Sequence, residues 1–504
     1  MASARKEQNP PTSERRRRAP VALILILVIA AALRLWGLGA KSLWLDEIMT
    51  VEKASMSYAG MIDEIRGHDA HPPLFQTIEW LFLRVGRSDA WARLPSALAG
   101  IAGVWLASLI ARRLFSRRAG TVAAILMALS YFHIYYSQEA RLYALITTLF
   151  LAQTYVLLVL IGKRGSAGWG GWAGYGLLAL ASLYTYVLSI LFIGALGALY
   201  LWLTWRRQPQ FAPLIVVHVI VAMLFLPWLP VLRQRTDLLR VSIQQNADAA
   251  GRPTLGDLTT GAASWAFGPA DWDKVAPAGP LLGICVSVAA GGGLLMRRSR
   301  RPAKVLGALF VLPLVGYLIL PMPRVQAYDP KHLAFLQPVL VLALAGFAFR
   351  TPRFRPRTAV RPLLYTVLAV AAVNAFALGD YFHPDFQKED WRGLYGDVAP
   401  RLQADDALVF NPGYVGFAFA FHSNTPEAKA AIRKRAERGV SPGADVARLW
   451  LIECRSPVSF PSARVAERLH AAGWQWEERA RYPGALGYVR WALLTRGKVE
   501  GPQP

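Results

Sequence analysis

The chain has 504 residues, enough for two or three domains, and 54% of them are hydrophobic whereas only 17% are charged. This composition, with 17 Trp, excludes an ordinary soluble protein of this size. The formal net charge of +24 would suggest nucleic acid as the partner of a soluble protein. Here the basic residues cluster at the ends of apolar segments, so we expect membrane lipids and no nucleic acid as partners.

Residues 1–19 are polar, end in four consecutive arginines and predict a basic cytoplasmic arm. The apolar run 20–38 that follows is long for the core of a cleavable signal peptide, so we expect it to be retained as the first span. Apolar segments of roughly 18 or more residues, the length needed to cross a bilayer, then recur through residue 380. The predicted spans are 20–38, 90–111, 119–136, 140–161, 169–185, 187–204, 212–232, 279–296, 303–321, 333–349 and 362–380.

Charge alternates between the turns that join these spans. The basic turns include 112–118, 163–164, 206–207, 297–301 and 350–361, whereas acidic residues concentrate in the first long loop. This is the positive-inside asymmetry, so the N-terminus is predicted to be cytoplasmic. With eleven spans, the C-terminal domain would lie outside the cytoplasm.

Two of the predicted outer loops, 39–89 and 233–278, are long enough to suggest function. The first contains a semi-apolar piece, 74–85, that is too short to span and predicts an interfacial helix. The second carries aromatic residues in a stretch, 264–270, that looks rich in turns.

Residues 384–504 alternate short strand patterns with amphipathic helices: strands at 407–410, 448–452 and 487–494, and a helix at 462–472. The fold class expected is therefore an all-α polytopic membrane domain, 20–380, followed by a small extracytoplasmic α/β domain.

Four polar clusters crowd the predicted outer ends of the spans. They are Leu43-Trp44-Leu45-Asp46-Glu47, His71-Pro72-Pro73-Leu74, Arg93-Leu94-Pro95-Ser96, and the segment from Tyr136 through Glu139 and Arg141 to Tyr143. Carboxylates beside planar cations suggest transfer from a phosphorylated donor, since a carboxylate can deprotonate an acceptor hydroxyl while cations stabilise the departing phosphate. Each cluster also has a structural interpretation: Asp46-Glu47 as loop solvation, Glu139 with Arg141 as a local pair, His71 as a turn residue, and Arg93 as a snorkelling side chain.

Together these four motifs resemble the bacterial family-39 glycosyltransferases, relatives of the protein O-mannosyltransferases and the aminoarabinose lipid A transferases, which share the GT-C membrane fold. The resemblance covers residue 20 to about residue 350 in motif order and topology. It implies a polyprenyl-phosphate sugar as donor, inverting transfer outside the cytoplasm, and a place in the bacterial inner membrane. Asp390-Trp391-Arg392-Gly393 also looks like the start of the terminal domain that many of these bacterial proteins carry.

By position in the motifs, Asp46 matches the family's catalytic carboxylate and Glu47 its companion. The resemblance places His71, Arg93, Tyr136, Glu139, Arg141, Tyr143, Arg324 and Lys331 among the substrate-binding residues. The chain departs from the family pattern at Lys331, which stands where many relatives have an arginine and which, as a point charge, loses bidentate geometry toward a phosphate. Some relatives bind a divalent metal cation near the donor phosphate; the candidates here are Glu47, His71 and Glu139, although no ligand spacing demands one.

Two other classes of function remain open from the sequence. A transporter or flippase for a lipid-linked sugar would also place charges near membrane depth, but would need them in several spans toward both faces. A membrane-anchored binding protein could act through residues 384–504, although eleven spans exceed what an anchor needs. The acceptor, whether protein, lipid or glycan, and the identity of the sugar are not encoded in these motifs.

Overall fold

A computed structural model describes residues 12–69, 71–163, 168–205, 211–235, 255–268, 300–320, 329–348, 360–423, 425–440, 446–455, 463–484 and 487–496. Ten of the eleven predicted spans overlap these ranges, and each coincides with helix. The predicted span 279–296, with Cys285, lies outside the described residues.

The helices up to residue 381 are α1 (Thr12–Leu35), α2 (Leu45–Ser55), α3 (Tyr58–His68), α4 (Leu74–Val85), α5 (Asp89–Leu114), α6 (Arg117–Leu129), α7 (Tyr131–Ser137), α8 (Tyr143–Gly162), α9 (Trp169–Thr185), α10 (Ser189–Thr204), α11 (Phe211–Phe225), α12 (Leu255–Phe267), α13 (Arg300–Ile319), α14 (Gln337–Ala348) and α15 (Val360–Tyr381). A 3-10 segment, Pro330–Leu336, precedes α14.

The chain is a multi-pass membrane protein. Within the described ranges, four helices are long and apolar enough to cross a bilayer: Asp89–Leu114, Tyr143–Gly162, Phe211–Arg235 and Arg301–Ile319. The bent pair α6 and α7 would make a fifth. Shorter apolar helices cover Val21–Leu35, Ser189–Thr204, Pro330–Gly346 and Leu368–Tyr381. The count of eleven spans stays a prediction.

The segment predicted as one continuous span, 119–136, is broken at Ser130, where α6 and α7 meet at 59°. Ser130 is extended, and its hydroxyl accepts from the His133 N–H at 3.3 Å, so it caps α7. The carbonyls of Met127 and Ala128, freed at the end of α6, accept from the buried guanidinium of Arg34 at 3.0 and 3.2 Å. A broken helix is tolerated at membrane depth only when its freed backbone groups are bound in this way.

The long loop predicted at 39–89 contains three helices, α2, α3 and α4, and the last of them confirms the helix expected at 74–85. The expectation of a turn-rich stretch at 264–270 was wrong at its start, because Ser264–Phe267 complete α12. The helix ends at Gly268, whose φ of +95° suits glycine, and a Cβ atom there would overlap the ring of Tyr131.

The chain divides into two compact units. The first comprises Met1–Trp36, Ile62–Ile78 and Leu94–Leu378. The second comprises Gly37–Met61, Glu79–Arg93 and Gly379–Pro504, so it combines parts of the first long loop with the C-terminal region. The start predicted for the C-terminal domain, residue 384, lies a few residues after Gly379, where the last part of the second unit begins.

The C-terminal part of the second unit contains α16 (Trp391–Val398), β1 (Ala407–Asn411), α17 (Gly416–Phe421), α18 (Pro426–Val440), β2 (Arg448–Arg455), α19 (Ala463–Ala471), β3 (Trp474–Gly484) and β4 (Gly487–Arg496). The strands form one sheet in the order β1-β2-β4-β3, with β1 and β2 parallel and the other neighbours antiparallel. The three predicted strands and the helix at 462–472 are confirmed, whereas β3 was missed.

One face of this sheet carries the core of the C-terminal part. Alternate residues of adjacent strands, such as Leu449, Leu451 and Leu494, are buried together. Val465 and Leu469, four residues apart on α19, pack against them. The face of α19 that carries Val465 and Leu469 therefore covers the sheet.

The break between α6 and α7 yields a prediction for Arg34. Replacing Arg34 with Met removes its bonds to three backbone carbonyls and to His133, and should lower the free energy of unfolding by about 3 kcal/mol. Thermal unfolding in detergent measures the effect. Arg118→Met, at an exposed position of α6, is the matched control and should change stability by less than about 0.5 kcal/mol. Equal losses in the two variants would contradict this role.

Candidate functional site

A buried ion pair joins two of the sequence motifs within the second unit. Arg93, near the start of α5, donates from Nε to Glu47 Oε1 at 2.8 Å and from Nη2 to Glu47 Oε2 at 2.6 Å. Glu47 is 0% exposed and Arg93 is 3% exposed. This is the parallel two-bond geometry in which arginine binds a carboxylate most strongly. The pair therefore fixes α2 against the start of α5.

Arg93 also binds the loop that leads into α2. Its Nη1 donates to the carbonyls of Leu38 and Lys41 at 2.9 and 3.0 Å, and Nη2 donates to the carbonyl of Ser42 at 3.0 Å. A guanidinium has five N–H groups, and here each one has a protein acceptor. Arg93 is thus the residue that shapes the 38–47 segment, rather than a snorkelling side chain.

Asp46 lies beside this pair but in a different environment. It occupies the first turn of α2, where the helix dipole favours a negative charge, and it is partly exposed. Glu47 is fixed further by accepting from the Trp44 N–H at 3.3 Å. Of the two adjacent carboxylates, one is enclosed by the protein and the other can be reached from outside it.

Glu79, on α4, belongs to the same unit and was not among the residues expected in the site. Its side chain is 0% exposed, and within the described part of the chain neither carboxyl oxygen has a hydrogen-bond partner. Burial, and then the negative charge of Glu47, raise the pKa of Glu79 well above its ordinary value. Burial therefore favours the protonated form of Glu79, and its position in an apolar helix gave no sequence signal of this environment.

Lys41 lies in the 38–47 segment and places its ammonium against aromatic rings. Its ammonium lies 4.2 Å from the ring centre of Tyr381 and within 6 Å of those of Phe382 and Phe386. Partial burial, followed by the positive charges of Lys388 and Arg93, lowers the pKa of Lys41 to about 8.

A second polar cluster lies in the first unit and contains His71. The Asp69 carboxylate accepts from the His71 backbone N–H at 3.0 Å and lies 3.0 Å from its ring Nδ1. The His71 ring stacks on Tyr186, whose hydroxyl is 2.8 Å from Nδ1 of His332. His71 is therefore part of a chain of aromatic and imidazole groups, and not simply a turn residue.

Lys331 is the neighbour of His332 at the beginning of the 3-10 segment. Its ammonium is 2.7 Å from Asp329 Oδ2, and its backbone N–H donates to Asp329 Oδ1 at 3.0 Å. Trp265 of α12 donates from Nε1 to the Pro330 carbonyl at 2.9 Å. The charges of Asp329, Lys331, His71 and Arg141 all act on the His332 imidazole, so these groups share one polar region of the first unit.

The segment joining α7 to α8 contributes both structural and polar groups. Gln138 donates from Nε2 to the carbonyls of Leu33, Arg34 and Trp36 and so caps the end of α1. The backbone carbonyl of Arg141 accepts from the Ser96 hydroxyl at 2.9 Å. The guanidinium of Arg141 lies 6.0 Å from the ring centre of Tyr143. Tyr136 packs edge-on against Tyr143 at 5.3 Å between ring centres. Glu139 is buried.

The structure thus places the expected residues in two groups. Asp46, Glu47 and Arg93 lie in the second unit, and His71, Tyr136, Glu139, Arg141, Tyr143 and Lys331 lie in the first. Arg324 lies outside the described residues. The sequence did not single out Tyr186, His332 or Asp329. A signal for Asp329 was present, because it stands two residues before Lys331 and is followed by a proline.

The metal candidates do not form a ligand set among the described residues, which contain no group of three or more His, Cys, Asp or Glu side chains able to hold an ion. Glu47 is bound by Arg93, and His71 lies against Asp69 and Tyr186. A divalent cation at this site stays a prediction.

Comparison with known proteins identifies the fold of the chain. A family model described as dolichyl-phosphate-mannose-protein mannosyltransferase matches residues 70–230. The crystal structure of ArnT from Cupriavidus metallidurans in the apo state superimposes with a TM-score of 0.54 at 15% identity, covering 96% of this chain and 100% of that one. The chain has the GT-C fold of membrane glycosyltransferases.

Two further structures support this assignment. ArnT from Cupriavidus metallidurans bound to undecaprenyl phosphate gives a TM-score of 0.52 at 14% identity, covering 95% of this chain and 99% of that one. The apo oligosaccharyltransferase of Archaeoglobus fulgidus gives 0.51 at 11% identity, covering 86% of this chain and 69% of that one. No curated protein matches the sequence. The GT-C fold that the motifs implied is thereby confirmed.

The Arg93–Glu47 pair yields a prediction about stability. Arg93→Met leaves a buried carboxylate without its cation, so the free energy of unfolding should fall by about 3 to 5 kcal/mol. The double variant Arg93→Met with Glu47→Met removes both charges and should recover at least half of that loss. Denaturant unfolding in detergent of the double variant and of each single variant, Arg93→Met and Glu47→Met, measures the coupling free energy between the two side chains. If the loss in the double variant equals the sum of the losses in the two single variants, the pair is not coupled.

Glu79 yields a prediction about pH. Its folded-state pKa is raised, so its contribution to stability is complete below the unfolded pKa, near 4.5, and is lost as the pH rises toward the folded pKa. Relative to Glu79→Gln, the wild-type protein should therefore lose stability as the pH rises above about 5, at a slope of at most about 1.4 kcal/mol per pH unit. Melting temperatures of both proteins across this range measure the difference, and parallel curves would contradict the prediction.

Proposed function

We propose that the protein is an inverting glycosyltransferase that takes its sugar from a polyprenyl-phosphate donor and transfers it outside the cytoplasm of a bacterial cell to a protein, lipid or glycan acceptor. The observation that carries the proposal is the contrast between adjacent carboxylates: Glu47 is buried against Arg93, and Asp46 is accessible on the first turn of α2. The GT-C fold, and the undecaprenyl phosphate bound by ArnT, support a donor of this class.

In the proposed reaction, Asp46 acts as the general base. Its carboxylate takes the proton of an acceptor hydroxyl while the oxygen attacks the anomeric carbon of the donor sugar. The new bond forms on the face opposite the leaving group, so the configuration inverts without a covalent enzyme intermediate. The bond from the anomeric carbon to the phosphate oxygen breaks, and its electron pair leaves with the polyprenyl phosphate.

The departing phosphate gains negative charge, which cations stabilise. The family resemblance assigns this role to Arg141 and Lys331, which both belong to the polar region around His332. Arg93 is assigned to positioning, because its five N–H groups bind protein oxygens. Glu47 keeps Arg93 in place rather than taking the proton itself.

The membrane orientation belongs to this proposal as well. The basic turns predict a cytoplasmic N-terminus, and the donor and acceptor would then meet on the opposite side of the plasma membrane. Cysteine substitution at an exposed position such as Asp385, labelled in intact cells with a membrane-impermeant maleimide, tests this placement.

The central prediction concerns Asp46. Asp46→Asn keeps the shape of the side chain but removes the base, so transfer from a polyprenyl-phosphate sugar in proteoliposomes should fall at least 100-fold while the melting temperature is unchanged. Asp63→Asn, on α3, is the matched control and should keep full activity. Full transfer by Asp46→Asn would overturn the assignment.

The same preparation separates this function from that of a flippase. A protein that moves the lipid-linked sugar across the bilayer without transferring it would show translocation and no glycosylated product.

In cells that lack the protein, lipid extracts analysed by mass spectrometry should contain accumulated polyprenyl-phosphate sugar, and unchanged donor pools would count against the proposal.

A further inference from the structure

A short segment after the last helix of the membrane region, Gln387–Arg392, binds the loop that leads into α2; both lie in the second unit. Gln387 accepts from the Ser42 N–H at 3.0 Å through Oε1. Glu389 accepts from the Leu45 N–H at 3.0 Å through Oε2. The Arg392 N–H donates to the Ser42 hydroxyl at 3.1 Å. Three residues of the segment therefore bind the loop just before Asp46.

Glu389 is the member of this segment next to the base. Its side chain is 4% exposed, and it accepts from Trp391 Nε1 at 2.7 Å in addition to Leu45. Its other oxygen lies 3.7 Å from Cys454 Sγ on β2. Leu45 is the first residue of α2, so the carboxylate binds one of the free N–H groups at the helix start. Glu389 thus acts on the same helix end that carries Asp46.

The hydrogen bonds to Glu389 oppose the effect of its burial. Burial raises the pKa of Glu389 and the negative charge of Asp46 raises it further, whereas the bonds from Trp391 and Leu45 lower it.

The C-terminal half of the segment is itself fixed by further contacts. Asp390 caps α16 by accepting from the Gly393 N–H at 2.9 Å. The Arg392 guanidinium binds the Asp89 carboxylate and donates to the carbonyls of Ala40 and Lys41 at 3.4 Å. Trp391 is fully buried. The contacts to the loop are therefore made by groups that have little freedom to move.

We propose that Glu389, with Gln387 and Arg392, is a positioning residue of the transferase: the segment fixes the loop before Asp46 and so holds the base at the start of α2. This inference rests on the proposed role of Asp46. It gives the start of the C-terminal region a part in the reaction, so the region is more than an accessory domain.

The first test measures the loop directly and does not depend on activity. In Glu389→Ala, amide hydrogen exchange of residues 42–48, followed by mass spectrometry on the full-length protein in detergent, should rise at least tenfold. Glu453→Ala is the matched control: Glu453 is a buried carboxylate beside Cys454 on β2, and it is bound to Arg490 and Asn411. Unchanged exchange in Glu389→Ala, or an equal rise in Glu453→Ala, would overturn the proposal.

The second test asks whether the hydrogen bonds of Glu389 position the base. Glu389→Gln keeps an oxygen that can accept from the Leu45 and Trp391 N–H groups, so the loop should stay protected from exchange and kcat should stay within threefold of wild type. Glu389→Ala should lower kcat at least tenfold and leave the KM of the donor within twofold. A loss of kcat in Glu389→Gln as large as that in Glu389→Ala, or a loss in Glu389→Ala carried by KM alone, would refute positioning.

The two levels of inference fail in different ways. If Asp46→Asn retains full transfer but Glu389→Ala releases the loop, the proposed base is wrong and the structural clamp stands. If Asp46→Asn is inactive and Glu389→Ala neither releases the loop nor changes kcat, the base stands and the positioning role is wrong.

Discussion

The bidentate contact between Arg93 and Glu47 is the interaction on which the 38–47 segment depends. Removing both charges from water costs several kcal/mol per ion, and only close geometry with every donor bound can offset that cost. Arg93 meets this condition by binding two carboxylate oxygens and three backbone carbonyls. The loop and the helix that follows it are consequently built around one guanidinium.

This arrangement also distinguishes the two acids. Successive residues of an α-helix point about 100° apart, so a helix that buries Glu47 must direct Asp46 elsewhere. The result is one carboxylate with a structural partner and another, next to it, that is partly exposed at the helix start. The difference supports Asp46 as the base on physical grounds that are independent of the family resemblance.

In the first unit, polar groups meet at places where the helical backbone is interrupted. Arg34 binds the carbonyls freed between α6 and α7, Gln138 binds those at the end of α1, and Asp329 caps the 3-10 segment that carries Lys331. Interruptions of this kind expose backbone groups that must be bound inside a membrane protein. They also bring histidine, tyrosine and arginine side chains into one region without extending any single helix.

The sequence by itself determined the membrane class, the helical segments and the identity of four motifs, because hydrophobic length, charge asymmetry and local spacing are properties of the chain. It could also identify Asp46-Glu47 as acids of interest and β-like runs at 407–410 and 448–452. It gave no sign of the break at Ser130, of β3, or of buried Glu79. The tertiary structure alone decided that Arg93 binds Glu47 rather than a ligand, and that Glu389 binds the N–H of Leu45, more than 300 residues away. The reason is that such partners are distant in the chain, and only folding brings a particular donor and acceptor within hydrogen-bond distance.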